Sequence, residues 1–190
     1  VISNEFVSNR AGLNSAGGAI MFWDQTAILV HNNLFVDNGA HYGGAAYSEN
    51  TWPRVDGDPS NLGVDLWANN IFRDNRAVLG GGLSFLSNPL TDFRNNSLVG
   101  NVATDDASNL HLYASLGQFR NNLFAYSPTG RAVVAADAIT SEQATFWSNA
   151  FWANSDGNWG DIAVEEFDGN LEVNPLLSGS TATEAPEEDS

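Results

Sequence analysis

One phrase in this chain is written over and over. His31-Asn32-Asn33-Leu34-Phe35-Val36-Asp37-Asn38 returns as Asn69-Asn70-Ile71-Phe72-Arg73-Asp74-Asn75, as Asn95-Asn96-Ser97-Leu98-Val99-Gly100-Asn101 and as Asn121-Asn122-Leu123-Phe124. Looser copies stand at 3–9 and 148–154. Aligning the second Asn puts positions 4, 33, 70, 96, 122 and 149 in one column, with Asn170 as a seventh member. The intervals are 29, 37, 26, 26, 27 and 21 residues. Self-similarity at such a period marks a repeat architecture, in which each unit buries its apolar face only against its neighbours.

The other columns say which kind. Two places after the Asn stand Phe6, Phe35, Phe72, Leu98, Phe124 and Phe151; three places before it stand Val30, Trp67, Phe93, Phe119, Phe146 and Phe167. Five places after it stand Asn9, Asn38, Asn75, Asn101, Ser127 and Asn154. Like residues in like places are expected when each repeat is one coil stacked on the last, about 4.8 Å away. Asn suits a tight corner because it tolerates left-handed backbone and its amide can bond the copies above and below. Helical repeats fit badly, since 23 Asn and 18 Gly in 190 residues would weaken helices throughout. The pattern predicts an all-β solenoid with an Asn ladder. Each coil should carry a strand into the Asn corner, a strand out of it, and a third strand opened by glycines.

Those glycine openings are Gly17-Gly18-Ala19-Ile20, Gly43-Gly44-Ala45-Ala46 and Gly80-Gly81-Gly82-Leu83. Together with the Asn-x-Phe-x-x-Asn copies, the sequence resembles the right-handed parallel β-helix repeats of polymorphic outer-membrane-type and pectate-lyase-like proteins. Asn170-Leu171-Glu172-Val173-Asn174-Pro175-Leu176-Leu177 is similar to the phrase that often ends such a solenoid. The resemblance implies a right-handed parallel β-helix of about six coils over residues 1–177. From Ser178 onward the chain has no apolar period, which predicts an acidic disordered tail or linker at 178–190. It leaves activity open, because this scaffold carries lyases, hydrolases, epimerases, adhesins and inert spikes.

Charge narrows the partners. The net charge is −16, with seven Arg and no Lys, which argues against nucleic acid and against anionic membranes. Setting aside Glu184, Glu187, Glu188 and Asp189 of the tail still leaves −12 on the body. No Cys means no disulfide or thiol chemistry, and no apolar run reaches the roughly 20 residues of a membrane span. Val1 already lies inside a coil, so the reading is a piece or mature product of a longer extracellular or bacterial cell-surface chain.

Several constellations offer chemistry. The long second interval holds an insertion rich in Pro, Gly and Asp, where Asp56 and Asp58 present oxygens of the kind Ca²⁺ takes. It is not an EF-hand, since Ser60-Asn61 replaces the expected ligand and glycine and Trp67 stands at the twelfth place. Asp37 and Asp74 share a column one coil apart. Such a pair can hold a cation, share a proton, or act as the two carboxylates of a retaining glycosidase. Arg73 and His41 stand nearby as catalytic partners; the competing reading is solvated carboxylates paired with Arg10, Arg73 and Arg76. Arg94 and Arg120 are direct column neighbours able to clamp a sugar carboxylate, or to pair with Asp92. Trp147 and Trp152 alternate with inward Phe146 and Phe151, so they should point outward, where aromatic faces stack on sugar rings. The alternative is that they lie under a C-terminal cover.

These residues set up three expectations. The first is a secreted or surface-displayed, non-catalytic scaffold for adhesion or glycan contact. The second is a polysaccharide lyase or glycoside hydrolase working along the solenoid face. The third is a structural spacer within a larger surface protein.

Overall fold

The computed structural model describes residues 1–25, 27–50, 64–160 and 169–175. The chain winds as a parallel β-solenoid of about five turns. Three parallel sheets form its walls. Sheet I, leaving the Asn corner, has seven strands: Glu5–Val7, Leu34–Val36, Ile71–Arg73, Ser97–Val99, Leu123–Ala125, Ala150–Trp152 and Leu171–Glu172. Sheet II, entering that corner, has five: Leu29–His31, Asp65–Ala68, Thr91–Arg94, Gly117–Arg120 and Ala144–Trp147. Sheet III, opened by the glycines, has six: Ile20–Trp23, Ala46–Glu49, Leu83–Leu86, Leu110–Tyr113, Val133–Ala135 and Trp159–Gly160. Arg76–Leu79 and Val102–Asp106 add a short two-stranded wall between sheets I and III. A six-residue helix, Ala138–Gln143, takes its N-cap from Asp137.

The register is the one the repeat requires. Phe35 pairs with Phe72 and Phe72 with Leu98, then Leu98 with Phe124 and Phe124 with Phe151. In sheet II, Trp67, Phe93, Phe119 and Phe146 line up likewise. Phe35, Phe72, Leu98, Phe124, Trp67, Phe93, Phe119 and Phe146 are all fully buried. Consecutive rings stack at 4.8 Å (Phe35–Phe72) and 4.6 Å (Phe119–Phe146). Strand spacing thus becomes ring spacing, so each coil's aromatic is solvated by the next coil's aromatic rather than by water.

The Asn ladder runs unbroken from Asn4 to Asn170. At each rung the Oδ1 of one Asn accepts from both the backbone N–H and the Nδ2 of the Asn one coil earlier, as in Asn33–Asn70 (both 3.0 Å). Nδ2 also donates to the strand carbonyl of that earlier coil: Asn70 to Val30, Asn96 to Trp67, Asn122 to Phe93. Buried corner groups that would otherwise be orphaned are all satisfied this way. The two Asn of each doublet divide the labour. The first, Asn32, Asn69, Asn95 or Asn121, takes the left-handed backbone (φ 55 to 57°), while the second keeps ordinary φ and points inward. The sequence reading gave both jobs to one residue; the geometry separates them because a left-handed corner residue turns its side chain to solvent.

A second ladder joins Asn9, Asn38, Asn75 and Asn101. Where Ser127 interrupts it, Asn109 steps in, accepting from Asn101 at 2.9 Å and donating to Ser127 at 2.8 Å. The third corner has no room for side chains. Gly43 is left-handed (φ 59°), and a Cβ on Gly44 would lie 2.1 Å from the carbonyl oxygen of Gly81. In the fourth coil Ala107 and Ser108 replace that pair, and the register of the short wall shifts between Ala103 and Asp106.

Candidate functional site

Because interior and exterior alternate along each strand, the same register that builds the core also writes columns on the outside. On sheet III one outward column reads Met21, Tyr47, Ser84, His111, Val134; its neighbour reads Trp23, Glu49, Leu86, Tyr113. Ser84 is the small member between two ring-bearing residues. Its neighbours in that column lie one strand away on either side, about 9.6 Å from each other. The result is a groove of about 430 Å³ lined by Tyr42, Tyr47, Leu79, Ser84, Leu86, His111, Tyr113 and Ala136. Its floor is buried: Ser84 is 1% exposed, Tyr47 6% and His111 9%. The rims are not, with Tyr42 at 37% and Tyr113 at 45%.

The floor is polar in a controlled way. Ser84 Oγ lies 3.0 Å from His111 Nδ1, with the direction of the bond set by the imidazole tautomer. Burial holds His111 below the ordinary imidazole range against the pull of Asp106 and Asp137, so the ring is neutral at pH 7. A neutral imidazole offers one donor and one acceptor, which suits hydroxyl groups. Tyr47 donates its hydroxyl to Glu49 Oε2 at 2.9 Å; burial first, then that carboxylate, push the phenol well above its usual range. Aromatic rims over a hydroxyl-bonding floor make a surface for a polyhydroxylated ring.

The residues singled out in the sequence lie elsewhere. Asp37 and Asp74 do sit in one column, both with left-handed backbone. Their carboxylates turn apart. Asp37 reaches back one coil to Ser8 Oγ (2.8 Å) and Arg10 (2.7 Å), and these two bonds hold it below the usual carboxylate range. Asp74 leans forward over Gly100 and is met by Arg73 Nε at 3.3 Å. Asp37 is half-buried and Asp74 exposed, and each has its own arginine. His41 lies on the adjoining wall, its ring edge-on to Tyr42 at 4.5 Å. Among the described residues no group of three or more His, Asp or Glu is placed to hold a metal ion. Asp56 and Asp58 lie outside the described residues.

Arg94 and Arg120 are register neighbours, as expected, and both form ion pairs with one oxygen of Asp92, at 3.1 and 3.2 Å. The protein's own carboxylate fills the clamp. Arg120 also stands over the ring of Trp147, 5.9 Å from its centroid. Trp147 and Trp152 are both half-buried and belong to different sheets, on either side of the Asn149 corner, so they do not form one flat platform. Trp159 turns inward instead, packing against Phe146 (5.1 Å) and Phe151 (4.4 Å) at the end of the core.

The sheet III groove escaped the sequence reading, although its signal was present. Leu110-His111-Leu112-Tyr113 and Ala46-Tyr47-Ser48-Glu49 alternate with period two, which already places Tyr47, His111 and Tyr113 outside. What the alternation lacks is Tyr42 and Leu79, which reach the groove from the neighbouring wall. No family model matches the chain, and comparisons with curated proteins and with solved structures returned no match.

Proposed function

We propose that this protein is a non-catalytic β-solenoid scaffold, secreted or displayed at a cell surface, that contacts neutral polysaccharide through the groove of sheet III. One observation carries the reading: Ser84 leaves a gap between Tyr47 and His111, walled by the exposed rings of Tyr42 and Tyr113. Apolar pyranose faces stack on such rings while ring hydroxyls reach the neutral imidazole. A body charge of −12, tail excluded, favours uncharged sugars over uronates. The placement outside the cell rests on the resemblance of its repeats to those of polymorphic outer-membrane-type and pectate-lyase-like β-helices.

Affinity electrophoresis against a panel of neutral and acidic polysaccharides tests it. Retardation by a neutral polymer, lost in the double variant Tyr42→Ala with Tyr113→Ala and kept in Trp147→Ala, supports the groove. The same gels, followed for new reducing ends or unsaturated products, test the lyase or hydrolase alternative. Turnover abolished by Asp37→Asn with Asp74→Asn would replace the binding reading with the enzymatic one. Neither retardation nor turnover would leave the spacer.

A further inference from the structure

Beside the groove, across the ridge formed by His41 and Tyr42, lies a second concavity of about 360 Å³. Small-molecule sites run from roughly 300 to 1,000 Å³, so this one is small but adequate. Its apolar walls include Leu13, Ala40, Ala77 and Val78, and Arg10, His41, Arg76, Asn14 and Thr104 bring polar groups to it.

The charges there differ from those elsewhere on this acidic surface. Arg10, Gly39 and Arg76 occupy one column on three successive coils. Gly39 has no side chain, and the Arg10 side chain lies across it: a Cβ there would press on Arg10 Cδ at 3.0 Å. Arg10 is committed to Asp37, and Arg73, Arg94, Arg120 and Arg131 each have a carboxylate partner. Among the described residues Arg76 is the one arginine with no carboxylate within 4 Å, and it is exposed. At the rim stands Leu13, 99% exposed at the tip of a turn, an apolar side chain with nothing of its own to cover.

We propose that this cleft binds a small carboxylate with an apolar body, the carboxylate on Arg76 beside His41 and the body against Leu13, Ala40 and Val78. Arg76 acts on Asp37 only through space, and a guanidinium with no carboxylate in contact is a natural receptor for one, while the flanking apolar walls reward a ligand that brings surface to bury. The proposal is independent of the groove, because none of its polar groups lines that site.

The test is a titration of the whole chain by ligand-observed NMR with four probes: hexanoate, hexanol, acetate and inorganic phosphate. Hexanoate should bind at least about tenfold more tightly than any of the other three. Arg76→Gln should weaken hexanoate about tenfold or more with an unchanged Tm, and Arg76→Lys should restore part of the loss. Leu13→Asp should weaken hexanoate as well, while Tyr113→Ala, which disables only the groove, should leave it unchanged. Equal binding of hexanol or phosphate would overturn the proposal, as would indifference to Arg76→Gln or absence of hexanoate binding up to about 20 mM.

Discussion

Ser84 Oγ and His111 Nδ1 meet at 3.0 Å on the outer face of sheet III, one coil apart and nearly sealed from water. The contact exists because the solenoid register sets a small residue beside a ring, and it keeps a neutral imidazole facing the groove.

That imidazole makes stability depend on pH in a definite direction. Burial lowers His111 from 6.5, so between 6.5 and its folded value the unfolded chain binds more protons. Stability should therefore fall as pH drops through 6.5 and level off below the folded value. Asp37 and Asp106 are also held low, Asp106 because hydrogen bonds from Arg131 and from the amide of Ala107 outweigh its burial, so a further loss should follow at more acid pH. Thermal melts from pH 8 to 3, with His111→Gln as control, check this. The variant should lose the step near neutrality and keep the acid one.

The division of labour in each Asn doublet predicts opposite sensitivities at adjacent positions. Asn96 accepts twice from Asn70 and donates to Trp67 and Asn122, all in the interior. Asn96→Ala should cost at least about 2 kcal/mol in urea unfolding, because buried donors lose their partner. Asn95 is exposed and left-handed, so Asn95→Gly should change stability by less than about 1 kcal/mol. Equal effects at the two positions would contradict the ladder.

The aromatic column makes a third prediction. Phe124 is fully buried and stacked on Phe151 at 5.1 Å. Phe124→Ala should cost about 3–5 kcal/mol. A loss below about 1 kcal/mol would place that column on the surface, well short of what truncating a buried aromatic removes.

Close approach at the third corner can be tested with two glycines. A methyl at Gly44 meets the Gly81 carbonyl oxygen at 2.1 Å, whereas one at Gly12 meets nothing within 4 Å. Gly44→Ala should cost about 1–3 kcal/mol or more, since only backbone could give way. Gly12→Ala should be near neutral in the same unfolding experiment.

Much of the fold was legible because stacking turns sequence periodicity directly into spatial columns. The Asn at positions 4 to 170, the glycine corners and the two Phe columns followed from spacing alone, save for Phe167, which lies outside the described residues. Side-chain direction at the corners did not. Asp37 and Asp74 share a column, yet bonds to Ser8 and Arg10 pull one carboxylate backward while the other lies forward over Gly100. Arg94 and Arg120 are register neighbours as their column predicts, and of the two roles left open for them the structure shows the pairing with Asp92. Tyr42 and Leu79 enter the groove from a wall whose path the repeat leaves variable, so no column announces them.

The most direct measurement of the functional account is a two-dimensional NMR titration with a neutral oligosaccharide that retards the protein on gels, watching the imidazole of His111 and the indoles of Trp147 and Trp152. Binding in the groove predicts that the His111 signals shift with ligand concentration while both indole signals stay in place. Saturable shifts at Trp147 or Trp152 with His111 unmoved would contradict it, and would return the glycan-contact surface to the corner at Asn149.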